Sequence, residues 1–209
     1  NIGLVNELAI LCDRMNISLW EVVDAAKTKP YGFQAFYPGP GLGGHCIPLD
    51  PYYLTWKARE FGFHTSMIEA SMIINDKMPE YCVDRAAKVL NRAKKALNGS
   101  KVLVLGVAYK ADIDDYRESP AIDVIEILQR EGADVDFFDP YIPKFRTHGK
   151  EYVGIADISP EVIASYDIVF VAAAHTNVDY DMIEQNAQAI FDSKNAMKEV
   201  KNREKIDVL

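Results

Sequence analysis

The hydrophobic pattern changes period close to residue 100, and that change limits the folds open to this chain. Before it, apolar residues recur at helical spacing. Leu4, Val5, Leu8, Ala9, Leu11 and Cys12 follow a period near 3.6. Ser18 with Glu21 three residues on forms a capping box that starts a second helix. Pro30 stops it. Residues 51–60 predict a further helix. Met67, Ile68, Met72, Val83, Ala86, Leu90, Ala93 and Leu97 stripe the stretch from His64 to Leu97, which Pro79 must kink or split. Asn98-Gly99 ends it.

From Lys101 the pattern becomes short apolar runs separated by helical segments. Val102–Leu105 followed by Gly106 has the look of a buried parallel strand. A helix over 121–131 follows, then strands at 135–138, 168–172 and 189–191. Strands alternating with helices predict βαβ units and a parallel sheet. The expected architecture is therefore an all-α helical domain, residues 1–98, followed by a Rossmann-like α/β domain with a mostly parallel sheet, residues 99–209. The 209 residues suffice for one or two stable cores. Their 49% apolar and 26% charged content excludes extended disorder. No apolar run reaches the length of a membrane span. A net charge of −8 argues against a nucleic-acid partner. The chain begins at Asn1 rather than Met, as expected of a fragment or a processed product.

The three cysteines, Cys12, Cys46 and Cys82, are odd in number and contain no CxxC pair, so no metal site is expected. A reducing, cytoplasmic setting suits them. Cys12 and Cys82 fall in helical patterns and are expected in the core. Cys46 is different. It follows Gly39, Gly41, Gly43 and Gly44 within a long loop, residues 30–51, and Asp50 stands four residues after it. Glycines let backbone amides approach a ligand closely, and a thiol beside oriented amides acts as a nucleophile. Asp50 is placed to orient a water, a base or a substrate hydroxyl. The plain alternative is a small hydrophobe in a structural loop. His45 adjoins Cys46, but neighbours in an extended loop point apart, so the two are not expected to form a catalytic pair.

Gly106-Val107-Ala108-Tyr109-Lys110 ends the first strand, at the ligand-binding edge of a parallel sheet. A dinucleotide fingerprint needs GxGxxG there. Gly106 is present, but Ala108 and Ala111 take the later glycine positions. Tyr109 and Lys110 suit stacking on a base or sugar and a charge on phosphate, or simply a solvated loop. Ser119-Pro120 starts a helix. Arg117 before it faces either an anion at that helix N-terminus or the aspartates of its own loop. Asp139 closes the second strand. Without a glycine fingerprint it is expected to serve the turn with Pro140.

Taken in order, these segments resemble the UDP-glucose/GDP-mannose dehydrogenase family. The residues that carry the likeness are Gly41–Tyr52, Gly106–Lys110 and Asp115–Pro120. The stretch from Phe63-His64-Thr65 through Ile74–Pro79 looks most like the bacterial and archaeal members that oxidise UDP-N-acetylhexosamines. The resemblance implies oxidation of C6 of a UDP-sugar from alcohol to carboxylate with two NAD+. Cys46 would capture the intermediate aldehyde as a thiohemiacetal, later a thioester, and Asp50 would serve the base and water steps. It implies that Tyr37, Gly41, Gly43, Tyr109 and Lys110 contact the UDP-sugar and that Arg117 reaches NAD. It implies a homodimer built through the helical domain. The family's NAD-binding N-terminal domain, with its GxGxxG, is absent from this sequence, so catalysis by this chain alone is not expected. Lys194 stands where relatives often carry arginine. Two other readings stay open: a UDP-sugar-binding or dimerisation module without chemistry, and a thiol hydrolase using His64 or His175 as base.

Overall fold

The computed structural model describes residues 1–209. The first hundred residues form α1 (Ile2–Met15), α2 (Leu19–Ala26), α3 (Asp50–Glu60), α4 (Ser66–Asp76) and α5 (Met78–Arg92). The Ser18 hydroxyl accepts from the Glu21 amide and caps α2, as the sequence predicts. Pro79 lies in the first turn of α5, where a missing N–H costs no helical bond, so the long apolar stripe breaks at Lys77. The remainder alternates: β1 (Lys101–Leu105), α6 (Pro120–Arg130), β2 (Asp134–Phe138), β3 (Lys144–Thr147), β4 (Lys150–Val153), α7 (Pro160–Ala164), β5 (Ile168–Val171), α8 (Tyr180–Asn186), β6 (Ile190–Asp192) and β7 (Ile206–Val208).

Five strands pair in parallel in the order β2-β1-β5-β6-β7. The chain leaves β1 towards β2 and returns to β5 on the other side. The strand order thus reverses between β1 and β5, and parallel sheets hold ligands at the carboxyl ends of strands flanking such a point. Side chains alternate across the sheet. Val102 and Val104, with Ile168 and Phe170, face α5 and α6. Leu103 and Leu105, with Val169 and Val171, face Ile163 of α7 and Ile183 of α8. Helix α5 precedes residue 98, yet Met78, Cys82, Ala86 and Leu90 share one core with the sheet. Removing the buried Leu90 side chain by substitution with alanine would cost about 2–5 kcal/mol. Helices α1 and α2 close a smaller cluster around Ala9, Leu19 and Val23.

Two elements go beyond the sequence expectations. Strands β3 and β4 form an antiparallel hairpin turned at His148-Gly149, both at positive φ. It carries few apolar residues, but Phe145 packs on Phe137 and stacks on Tyr152. Strand β7 ends in an edge position beside β6, and its Asp207 is held by Arg85 and Arg92 from α5. No helix is long and apolar enough to cross a membrane.

Candidate functional site

The cysteine loop is anchored at its start by two buried asparagines. The Asn6 carboxamide of α1 donates to Asn75 Oδ1 of α4 at 2.9 Å and accepts from the Gly39 amide at 3.0 Å. The loop then lies against the β1 edge of the sheet. A Cβ on Gly43 would stand 2.4 Å from Tyr109 Cβ and 2.8 Å from the Glu118 carbonyl oxygen. Gly44, at φ 83, faces the Tyr109 ring and donates its amide to the Arg117 carbonyl at 3.0 Å. This changes the meaning of the glycines. Gly43 and Gly44 are not an open anion cradle: the missing side chains let the loop seat directly on Tyr109 and on residues 117–118.

At His45 the chain turns instead of extending, with the Leu49 amide donating to the His45 carbonyl at 2.9 Å on entry to α3. The turn overrides the expectation that His45 and Cys46 point apart. Ligating atoms of His45, Cys46 and Asp50 lie within 4.8 Å of one another, and His45 Nδ1 is 3.2 Å from Asp50 Oδ1. All three side chains are exposed, including the Cys46 thiol, whereas Cys82 is buried and its thiol is pushed up by burial. The trio offers an imidazole, a thiol and a carboxylate to an incoming carbonyl compound. It also offers a donor set of the kind zinc accepts, which cysteine spacing cannot reveal. Ion–ligand distances of about 2.0–2.3 Å would require the three to close up, beside the positive end of α3 that disfavours a cation.

A cavity of about 300 Å³ borders this turn, with Gly44, His45, Tyr116, Arg117 and Arg146 in its wall. Arg117 is bound within its own loop: its guanidinium donates to both oxygens of Asp115, at 2.6–3.0 Å. Those hydrogen bonds hold the Asp115 carboxyl below the usual range and raise Arg117. The guanidinium is nonetheless largely exposed and must exchange this partner to meet another anion. Arg146, from β3, was invisible in the sequence because nothing there predicts the hairpin. Tyr37 stands in another cavity, of about 370 Å³. It stacks on Trp20, and its hydroxyl meets Lys27. Lys194 lines that cavity too and lies over Gly39, its ammonium disfavoured by burial. Lys110 is exposed beside Tyr109.

The β1 edge differs from a dinucleotide site in a further way. Asp139, at the end of β2, is 5% exposed. Its Oδ2 accepts from the amides of Val107 at 2.7 Å and Ala108 at 3.0 Å, and its Oδ1 from those of Tyr141 and Ile142. Burial pushes this carboxyl up, but hydrogen bonds from His175 and from the Val107 and Tyr141 amides outweigh it and hold it below the usual range. The turn role expected with Pro140 is present. The amides that a pyrophosphate would use are already taken by a carboxylate, so the residues here do not fit a dinucleotide. His175, 1% exposed, lies 3.1 Å from Asp139 and accepts at Nδ1 from the Asp112 amide. It is therefore committed to this network and is not the free base a thiol hydrolase needs.

The model of the UDP-glucose/GDP-mannose dehydrogenase family, central domain, matches residues 1–77, and that of the same family's UDP binding domain matches residues 103–199. UDP-N-acetyl-D-glucosamine 6-dehydrogenase of Pseudomonas aeruginosa is 38% identical over 176 residues, 84% of this chain and 41% of that protein. UDP-N-acetyl-D-mannosamine dehydrogenase of Methanocaldococcus jannaschii is 32% identical over 203 residues, 97% of this chain and 42% of that protein. The structure of the UDP-D-ManNAc dehydrogenase from Pyrococcus horikoshii superposes with a TM-score of 0.83 at 29% identity, covering 99% of this chain and 47% of that one. The chain thus spans less than half the length of these relatives. With both of its parts matched in order by models of one family, the chain belongs to the UDP-glucose/GDP-mannose dehydrogenase family, of which it carries the central and UDP-binding regions.

Proposed function

We propose that this chain is the central and UDP-binding part of an NAD-dependent UDP-sugar 6-dehydrogenase, acting on a UDP-N-acetylhexosamine or UDP-glucose. The observation that carries the reading is the seating of Gly43 and Gly44 on Tyr109. Through it an exposed thiol and the loop after β1 share one junction. Tyr109 and Lys110 would hold the uridine diphosphate, Tyr37, Gly41 and Gly43 would border the sugar nucleotide, and residues 1–98 and 99–209 would act as two lobes joined through α5, which packs on the sheet. When bound in the whole enzyme, NAD would supply the acceptor for the two hydrides, and Arg117, once released from Asp115, would be the residue of this chain that meets it.

The steps left to this chain are the thiol chemistry. The Cys46 sulfur adds to the C6 aldehyde carbon as the C=O π bond opens, and the proton given up by the thiol passes to the carbonyl oxygen to give a thiohemiacetal. After the second oxidation the sulfur is joined to an acyl carbon as a thioester. Water, oriented by Asp50, attacks that carbon, the C–S bond breaks, one proton of the water returns to the sulfur to restore the thiol, and the other passes to solvent as the carboxylate leaves. The exposed apolar residues Leu4, Leu11, Met15 and Val22 on α1 and α2, and Trp56, Phe61 and Met67 on and between α3 and α4, support a homodimer through the helical part.

Iodoacetamide labelling tests this reading. Cys46 labels first on exposure alone, so protection decides. A UDP-sugar should slow labelling of Cys46 and leave Cys12 unaffected. Labelling of Cys46 at the same rate with and without each sugar of a UDP-sugar panel would favour a module without this chemistry.

A further inference from the structure

We infer that the buried Asp139–His175 pair is the positioning device for the Tyr109–Lys110 loop, with His175 setting the loop's far end. The inference rests on the reading that this loop holds the uridine diphosphate. Between Gly106 and Asp112 the chain forms an arc that projects Tyr109 towards the cysteine loop. Its near end is fixed by Asp139 Oδ2, which takes the Val107 and Ala108 amides. Its far end is fixed by His175 Nδ1, which takes the Asp112 amide at 3.0 Å. An amide donates, so that nitrogen carries no proton, and the ring proton sits on Nε2, facing Asp139 at 3.1 Å. One carboxylate and one imidazole, bonded to each other, therefore hold both feet of the arc.

Asp112 shows that the far foot is fixed by its surroundings. Its φ of 62 lies in the left-handed region, which non-glycine residues seldom occupy unless neighbours hold them there. The holding bonds run both ways: Asp112 Oδ1 accepts from the Thr176 amide at 2.8 Å, next to His175 in sequence. His175 is itself held from outside the arc. Tyr141 packs on its ring, with centroids 5.2 Å apart, and the Tyr180 hydroxyl donates to its carbonyl at 3.0 Å. Neither Asp139 nor His175 is open to a ligand. They act on one by fixing where Tyr109 and Lys110 stand.

The two ring nitrogens have separable tasks, and substitution can split them. Asn places an amide oxygen near the Nδ1 position and keeps an acceptor for Asp112. Gln places an amide nitrogen near Nε2 and keeps a donor for Asp139. The probe is UDP itself, titrated calorimetrically into the chain, with thermal unfolding followed in parallel. His175→Ala should weaken UDP binding about tenfold. His175→Asn should restore most of that affinity, whereas His175→Gln should not, even where it unfolds at the wild-type temperature. Three outcomes overturn the inference: UDP binding by His175→Ala equal to wild type, affinities that track the unfolding temperatures of all three variants, or equal binding by the Asn and Gln variants. If His175→Ala does not fold, the Asn–Gln comparison alone decides. Absence of UDP binding by the wild-type chain overturns this inference together with the proposed function, whereas wild-type binding with an unaffected His175→Ala variant overturns this inference alone.

Discussion

The cysteine loop and the loop after β1 touch each other, yet they are held in different ways. The first is anchored early, through Asn6 and Gly39, and then exposes its candidate reactive groups: His45, Cys46 and Asp50 are all solvent-facing. The second has its reactive face outward but is pinned from beneath by a buried carboxylate with five hydrogen-bond partners. The difference suits the chemistry proposed for each. A nucleophile must reach a carbon whose geometry changes through the reaction, whereas a diphosphate grip works best when it does not move. The same difference fixes which substitutions hurt stability and which affect only the site.

Asp139→Ala should show the largest effect. It leaves four backbone amides and an imidazole N–H without their acceptor in a closed interior. The expected loss is about 3–5 kcal/mol in urea unfolding. A loss under about 1 kcal/mol would mean that water or a neighbour replaces the carboxylate, and the contrast between the two loops would disappear.

Gly43→Ala comes next and tests the contact between the loops directly. Its new methyl would fall 2.4 Å from Tyr109 Cβ and 2.8 Å from a backbone oxygen that cannot rotate away. The cysteine loop must lift, at about 1–3 kcal/mol. Protection of Cys46 by a UDP-sugar should weaken while the unprotected labelling rate of the exposed thiol is kept. Unchanged stability and protection would show that the seating of the loop on Tyr109 is not needed.

What the sequence revealed differs between the two loops for the same physical reason. Element types over most of the chain were legible because burial imposes a period: Val102–Leu105 and the stripe on α5 announce themselves. The hairpin and β7 were not. Phe145 and Tyr152 are too few to make a pattern, and Asp207 looks solvent-facing until Arg85 is seen beside it. At the site, Cys46 and Asp50 stood out by local spacing, a property of consecutive residues. An extended loop would turn His45 away from Cys46, but a single turn brings their side chains together. His175 and Asp139 join residues 36 positions apart, and no local signal marks such a pair. The spacing of the glycines points to a ligand approaching the backbone closely, whereas at Gly43 and Gly44 it is Tyr109 that does so, which sequence could not name.

Acid unfolding separates the loops by charge. The Asp139 carboxyl is held below its ordinary value of 3.8 in the folded chain, through the bonds from His175 and the Val107 and Tyr141 amides that outweigh its burial. A depressed carboxylate adds stability that is fully present above the unfolded value and fades as pH falls through the folded one. The stability of the wild-type chain should therefore fall steadily below about pH 4. Asp139→Asn should start from a lower plateau and fall less steeply over that window. Parallel acid limbs would show that the carboxylate's charge does not set this part of the pH dependence.

Arg117→Ala should change stability least, and it separates an exposed pair from the buried one beneath the neighbouring loop. Arg117 and Asp115 are two residues apart on one loop, and their bonds end at the surface, where water and salt compete. The unfolding midpoint should not move beyond error, at either low or high salt. UDP affinity should also hold, because the guanidinium is proposed to serve a dinucleotide and not the diphosphate of the sugar nucleotide. A drop in UDP affinity would instead assign Arg117 to the same ligand as Lys110. A drop in stability would show that the Asp115 pair orders residues 115–118, and with them the carbonyl that receives the Gly44 amide. That second result would extend the pinning of the β1 loop to the cysteine loop and reduce the contrast between them to a matter of exposure.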